Sequence, residues 1–133
     1  MNDDERLLLA ANQTFYEAFA NSDFEGMDDL WAREYPVTCI HPGWSGLIGR
    51  EPVMASWRAI LSSGETTIES SSARACVLGD TAYVVCFEGA RGEPPILVAT
   101  NIFAREGGRW KLVHHHAGRL ARFPAPEPAR PLN

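Results

Sequence analysis

Apolar positions recur at intervals of three and four through the first part of the chain. Leu8, Ala11, Phe15, Ala18 and Phe19 fall on one stripe, which predicts an amphipathic helix over 3–21. Asp3 or Asp4 can cap it, and both suit the positive end of its dipole. Asn21-Ser22-Asp23 interrupts the pattern and caps a second, shorter helix carrying Phe24, Met27, Leu30 and Trp31. Tyr35-Pro36 turns the chain, because the residue before proline is driven to extended geometry. A short apolar strand follows over 37–40. The helical period returns over 49–61, with Pro52 in the first turn, where a missing N–H costs nothing, and Val53, Trp57, Ile60 and Leu61 as the buried stripe. Ser62-Ser63-Gly64 ends it.

From Glu65 onward the period changes to two. Segments 66–78, 81–88, 96–105 and 110–120 are rich in Val, Ile, Thr and aromatic residues and predict strands. Gly79-Asp80 and Glu106-Gly107-Gly108 are tight hairpin connections, and the connection over 91–95 is longer. Residues 123–133 are dense in proline and read as an extended or disordered tail, leaving one domain over 1–122. Helices followed by long antiparallel strands make an α+β arrangement. A strongly bent sheet curled around helices leaves an open end that suits a small molecule.

The 133 residues fit one domain and can bury a core without metals or disulfides. The net charge of −5, with lysine nearly absent, argues against a nucleic-acid partner, which needs clustered cations. No apolar run has the length of a membrane span, so no membrane partner is expected. The acidic N-terminus is not a signal peptide. The 3 cysteines, Cys39, Cys76 and Cys86, lack CxxC spacing and suit a reducing cytoplasm. No dinucleotide, P-loop or serine-hydrolase motif occurs, and no cofactor is expected.

The candidate chemistry centres on Cys39-Ile40-His41-Pro42-Gly43-Trp44. His41 titrates near neutrality and can act as a general base; it can equally be a structural histidine that holds the turn through a backbone bond. Trp44 either closes over a ligand or packs as core. In His114-His115-His116 the outer pair faces one way and His115 the other. His114 and His116 would need an acidic third ligand to hold zinc, and no metal is expected. Arg50-Glu51 reads as a surface salt bridge, and Asp28-Asp29 as a solvated helix face.

Four segments in order resemble the nuclear-transport-factor-2-like superfamily, in particular its SnoaL-like bacterial branch. They are Asn21-Ser22-Asp23-Phe24-Glu25, His41-Pro42, Leu47-Ile48-Gly49-Arg50-Glu51, and the run from Glu106-Gly107-Gly108 through His116, covering roughly residues 5 to 120. The resemblance implies a cone-shaped, cystatin-like α+β fold, with three N-terminal helices packed on a strongly bent antiparallel sheet, and a homodimer through the sheet's outer face. The superfamily includes ketosteroid isomerases, dehydratases, polyketide cyclases, transport factors and kinase-hub domains, so fold does not select activity. Against the isomerases, His41-Pro42 matches the general-base aspartate and its proline to within one residue. The oxyanion tyrosine falls on Phe15, with Tyr16 next to it. Two supporting tyrosines fall on Trp31 and Trp57, and the protonated aspartate falls near Thr100-Asn101.

The resemblance also turns Val113, His115 and Ala117 toward the concave side, with His115 opposite His41, and places Tyr83 and Phe87 on an inward face. Two functions follow. One is a domain that binds a small apolar or aromatic molecule among Phe15, Trp31, Trp44, Trp57, Tyr83, Phe87, Thr100 and Asn101. The other is an isomerase, dehydratase or cyclase, with His41 as general base, His115 as proton partner or electrophile, and Thr100 or Asn101 orienting the substrate. A pure dimerisation module is a third reading, which expects a pocket filled by its own side chains.

Overall fold

The computed structural model describes residues 1–64 and 67–122. The expected tail over 123–133, and the start of the strand expected from residue 66, lie outside the described residues. The chain runs α1 (Asp3–Ala20), α2 (Phe24–Leu30), β1 (Thr38–Ile40), β2 (Leu47–Ile48), α3 (Arg50–Ser62), β3 (Ile68–Leu78), β4 (Thr81–Ala90), β5 (Leu97–Glu106) and β6 (Arg109–Arg119).

The α1 cap is Asn2, one residue earlier than expected. Its extended backbone lets Oδ1 accept the Glu5 N–H, while Asp3 and Asp4 stay in the first turn beside the positive dipole end. Asp23 caps α2 by accepting the Gly26 N–H. Gly49 precedes α3 with φ of 99°, a conformation that disfavours any side chain.

The six strands form one sheet in the order β2-β1-β6-β5-β4-β3. It is mixed rather than wholly antiparallel. β1 lies parallel to β6, pairing Thr38, Cys39 and Ile40 with His114, His115 and His116. The arrangement is the cone-shaped α+β fold that the sequence leads one to expect. Helices α1 and α3 cover the inner face, where Leu8, Phe15, Val53, Trp57, Val84, Phe103 and Leu112 are wholly buried. An Arg50 guanidinium locks α3 to the end of α2. It donates to the carbonyls of Trp31, Ala32 and Asp28 and to Asp28 Oδ1, at 2.7 to 3.1 Å. Its partner is therefore Asp28 rather than Glu51. Asp29 pairs with Arg109 and Lys111, so the two aspartates are tied down rather than merely solvated.

Alternation decides which residues reach the interior. On β4, Ala82, Val84, Cys86 and Glu88 are buried, whereas Tyr83 and Val85 are exposed and Phe87 is half-buried. On β5, Ala99, Asn101 and Phe103 face in, and Thr100 and Ile102 take the other side. A bulge between β5 and β6 leaves Val113 without a partner and pairs Ile102 with His114 but Phe103 with Leu112. The added residue changes the phase, so Leu112 and His115 both face inward although they are three apart.

Candidate active site

Three layers of side chains meet between the helices and the inner sheet face. α1 supplies Asn12, Phe15 and Tyr16; α3 supplies Ser56 and Trp57; the sheet supplies Cys39, Cys86, Glu88, Asn101 and His115. His41, at the end of β1, completes the set. Its ring centroid lies 4.8 Å from Trp57 and 6.4 Å from His115. Phe15 stands edge-on to Trp57 at 5.4 Å and 4.9 Å from the His115 ring.

The hydrogen bonds fix both imidazole tautomers. Ser56 spends its hydroxyl proton on the Val53 carbonyl at 2.7 Å, so at 2.9 Å it accepts the Nε2–H of His41. The lone pair of His41 is then on Nδ1, 4.0 Å from the Cys39 thiol. His115 Nδ1 is 2.6 Å from Asn101 Oδ1, and Asn101 turns its amide nitrogen to Asn12 Oδ1 at 2.8 Å and to the Tyr16 oxygen at 3.2 Å. With that amide orientation, His115 donates from Nδ1 and keeps its lone pair on Nε2. His41 is therefore held by a side chain rather than by the backbone bond a turn-holding role requires.

Burial lowers the His41 pKa to about 4. Burial, reinforced by the neighbouring histidines, lowers that of His115 to about 3. Both are neutral bases at pH 7. Glu88 moves the other way: burial raises its carboxyl to about 7, partly offset by the 2.6 Å bond it accepts from Tyr16. Its Oε2 lies 3.9 Å from His115 Nε2. That distance suits an ion pair, but the charges do not. Around pH 6 the imidazole is unprotonated and the carboxyl protonated. The Cys39 and Cys86 thiols are pushed up by burial to about 12 and about 11, so neither is a thiolate nucleophile at pH 7.

The expected ligand residues divide into groups. Phe15, Trp57, Asn101, His41 and His115 converge. Trp44 packs over His41: its ring is 4.8 Å away and 48% exposed, while His41 is 4% exposed. Trp31 is wholly buried at the end of α2 and makes no ring contact with this cluster among the described residues. Tyr83, Phe87 and Thr100 lie on the outer face, because the pleat that buries Glu88 and Asn101 turns their odd- and even-numbered neighbours away. Tyr83 and Thr100 line a shallow apolar groove there with Leu78, Val85 and Ile102. His114 bonds Thr38 Oγ1 at 2.6 Å, outside the cluster. Among the described residues, no group of three or more His, Cys, Asp or Glu side chains could hold a metal ion.

Tyr16, Glu88, Asn12 and Ser56 were not singled out from sequence. A charged residue in a strand reads as surface. The one available signal for Glu88 was its even-numbered phase with Val84 and Cys86. Tyr16 also lines a polar groove of about 480 Å³ with Gln13, Glu17, Ile68, Glu69 and Arg91. Trp57 Nε1 is buried without a hydrogen-bond partner among the described residues.

No helix among the described residues is long and apolar enough to cross a membrane. A crystal structure of an NTF2-like-family protein from Streptomyces avermitilis, provisionally assigned as a dehydratase, is 36% identical, with TM-score 0.77 over 90% of this chain and 97% of that one. A Thiobacillus denitrificans protein, provisionally assigned as a calcium/calmodulin-dependent protein kinase type II association domain, is 31% identical, with TM-score 0.66 over 84% and 93%. The F-box protein SKIP8 of Arabidopsis thaliana is 27% identical over 115 residues, 84% of this chain, and the chain spans about half (49%) of that relative's length. The SnoaL-like domain model matches residues 8–121, and the chain belongs to that family, within the NTF2-like superfamily.

Proposed function

We propose that this domain binds a small, largely apolar molecule against Phe15, Trp57 and Asn101 and moves a proton on it, with His41 as general base. One observation carries the reading: two neutral imidazoles stand 6.4 Å apart, each held in one tautomer with one unprotonated nitrogen. A positioned general base contributes about 10²–10⁴-fold to proton transfer. Trp44 is the lid, since its half-exposed ring is the cover over His41. The Streptomyces protein's provisional assignment as a dehydratase supports an elimination.

The test uses 4-phenylbutan-2-one, an apolar ketone with exchangeable α-protons, incubated with the protein in D₂O. Deuterium incorporation, followed by NMR, is expected to exceed the buffer rate and to fall to it in His41→Ala. Equal rates in the two proteins sink the reading.

The reading as an assembly module is favoured by a different observation, the exposed apolar stripe Leu78, Tyr83 and Val85 on the outer sheet face. It supports a homodimer through that face and is compatible with an active interior.

A further inference from the structure

Glu88 is the least expected residue in the interior. It is 2% exposed, and among the described residues no Lys or Arg side chain pairs with it. A carboxylate buried without a cation is expensive, and the group responds by keeping its proton. The titratable groups around it come from each neighbouring element. Tyr16 of α1 donates to it at 2.6 Å, and Cys86 shares its strand and contacts the Tyr16 oxygen at 3.2 Å. Cys39 of β1 is close enough for its thiol to sense the Glu88 charge, and His115 of β6 turns its bare Nε2 toward Oε2 at 3.9 Å. Asn101 and Asn12 are neutral and already engaged with each other.

The 3.9 Å separation is too long for a hydrogen bond and short enough to be bridged. An oxygen about 2.8 Å from both atoms sits at the apex of a triangle. It can donate to His115 Nε2 and accept from the Glu88 O–H. A hydroxyl is the group with both capacities. Burial holds the Glu88 proton up to about 7, so the donor is present at neutral pH.

We propose that Glu88 and His115 together hold one hydroxyl oxygen of the ligand and that Glu88 gives its proton to that oxygen as it leaves, so that the site removes water from a small, largely apolar β-hydroxy carbonyl compound. The inference rests on His41 being the base of the same site. His41 Nδ1 takes the proton from the carbon α to the carbonyl, and that C–H electron pair becomes the new C=C bond. The C–O bond breaks with its pair on oxygen, which takes the Glu88 proton and departs as water. His41 is left as imidazolium and Glu88 as carboxylate. The surplus proton returns from one to the other through solvent or through His115, whose ring lies 6.4 Å from that of His41.

The probe is 4-hydroxy-4-phenylbutan-2-one, whose dehydration gives an absorbing enone. Wild-type dehydration is expected to fall as pH rises through about 7, the range in which Glu88 loses its proton. Glu88→Gln is expected to lower the rate at pH 6 by about 100-fold, within the usual range for one acid–base group. Glu88→Asp is expected to recover part of it, with the alkaline limb still present. In protein labelled with ¹³C at the glutamate carboxyls, one resonance absent from Glu88→Gln titrates near pH 7, which reports protonation without any substrate. Wild-type dehydration by Glu88→Gln, a Glu88 carboxyl already ionised at pH 5.5, or a wild-type profile with no alkaline limb overturns the inference. A wild type that exchanges the α-protons of 4-phenylbutan-2-one but does not dehydrate the alcohol overturns this inference alone. A wild type that does neither overturns the base reading as well.

Discussion

Replacing Glu88 by Gln removes a buried acid and leaves an amide oxygen to accept the Tyr16 hydroxyl. The consequence for stability depends on pH. Unfolded, the carboxyl releases its proton at the ordinary value of 4.5, whereas folded it keeps it to about 7. Between those values the folded chain binds the extra proton, so wild-type stability falls as pH rises, and the loss is complete just above 7. A tenfold change in proton affinity is worth about 1.4 kcal/mol, so the buried charge costs about 3 kcal/mol at pH 8. Glu88→Gln is therefore expected to match wild type within about 1 kcal/mol at pH 5 and to be more stable by about 2–3 kcal/mol at pH 8. His41 and His115 act in the opposite sense. Their ordinary value is 6.5, and burial lowers them to about 4 and about 3. The stability they contribute is present above pH 6.5 and is lost as pH falls toward those lower values, because the unfolded chain takes up the protons first. Wild type then has a stability maximum near pH 6.5, and the variant a plateau above it. Urea unfolding at pH 5, 6, 7 and 8 measures both curves. A pH-independent difference between the proteins, or a variant less stable at pH 8, refutes the account of Glu88.

Trp44→Ala uncovers His41; its imidazole titration, followed by NMR, is expected to move up from about 4 toward the ordinary 6.5, and an unmoved midpoint rejects Trp44 as the cover. Arg50→Ala breaks four charge-assisted bonds to Trp31, Ala32 and Asp28 and is expected to lower unfolding stability by about 3 kcal/mol, with Arg50→Lys recovering only part because an ammonium cannot reproduce the fork. Tyr83→Arg places a charge on the apolar outer face, and sedimentation at micromolar concentration is expected to shift from dimer toward monomer; a wild type that is already monomeric rejects that interface.

Much of the fold was legible because both periods are long. The stripe from Leu8 to Phe19 and the alternation through β4 to β6 each repeat often enough to outweigh local exceptions. β2 was not legible: Leu47–Ile48 is only two residues long and exists because β1 offers it an edge. The parallel pairing of β1 with β6 is a long-range event that no local pattern encodes. At the site, His41 stood out as a titratable ring beside a Pro-Gly turn, and His115 was picked from the three histidines only through the resemblance. Tyr83 and Phe87 were turned inward by the resemblance, whereas the strand exposes Tyr83 and leaves Phe87 half-buried on the outer face. Here β4 buries Ala82, Val84, Cys86 and Glu88 instead, a phase set by bulky Phe15, Tyr16 and Trp57 on the helices opposite. Tyr16 stood one residue from the position the resemblance indicated, about a third of a helical turn away.

The bulge at Val113 gives the histidine run a meaning beyond the chemistry of any one ring. Strict alternation from the buried Leu112 would turn His114 inward and His115 outward; the extra residue at Val113 reverses that order. The bulge therefore selects which of three adjacent imidazoles stands beside His41 and leaves its two neighbours on the other side of the sheet.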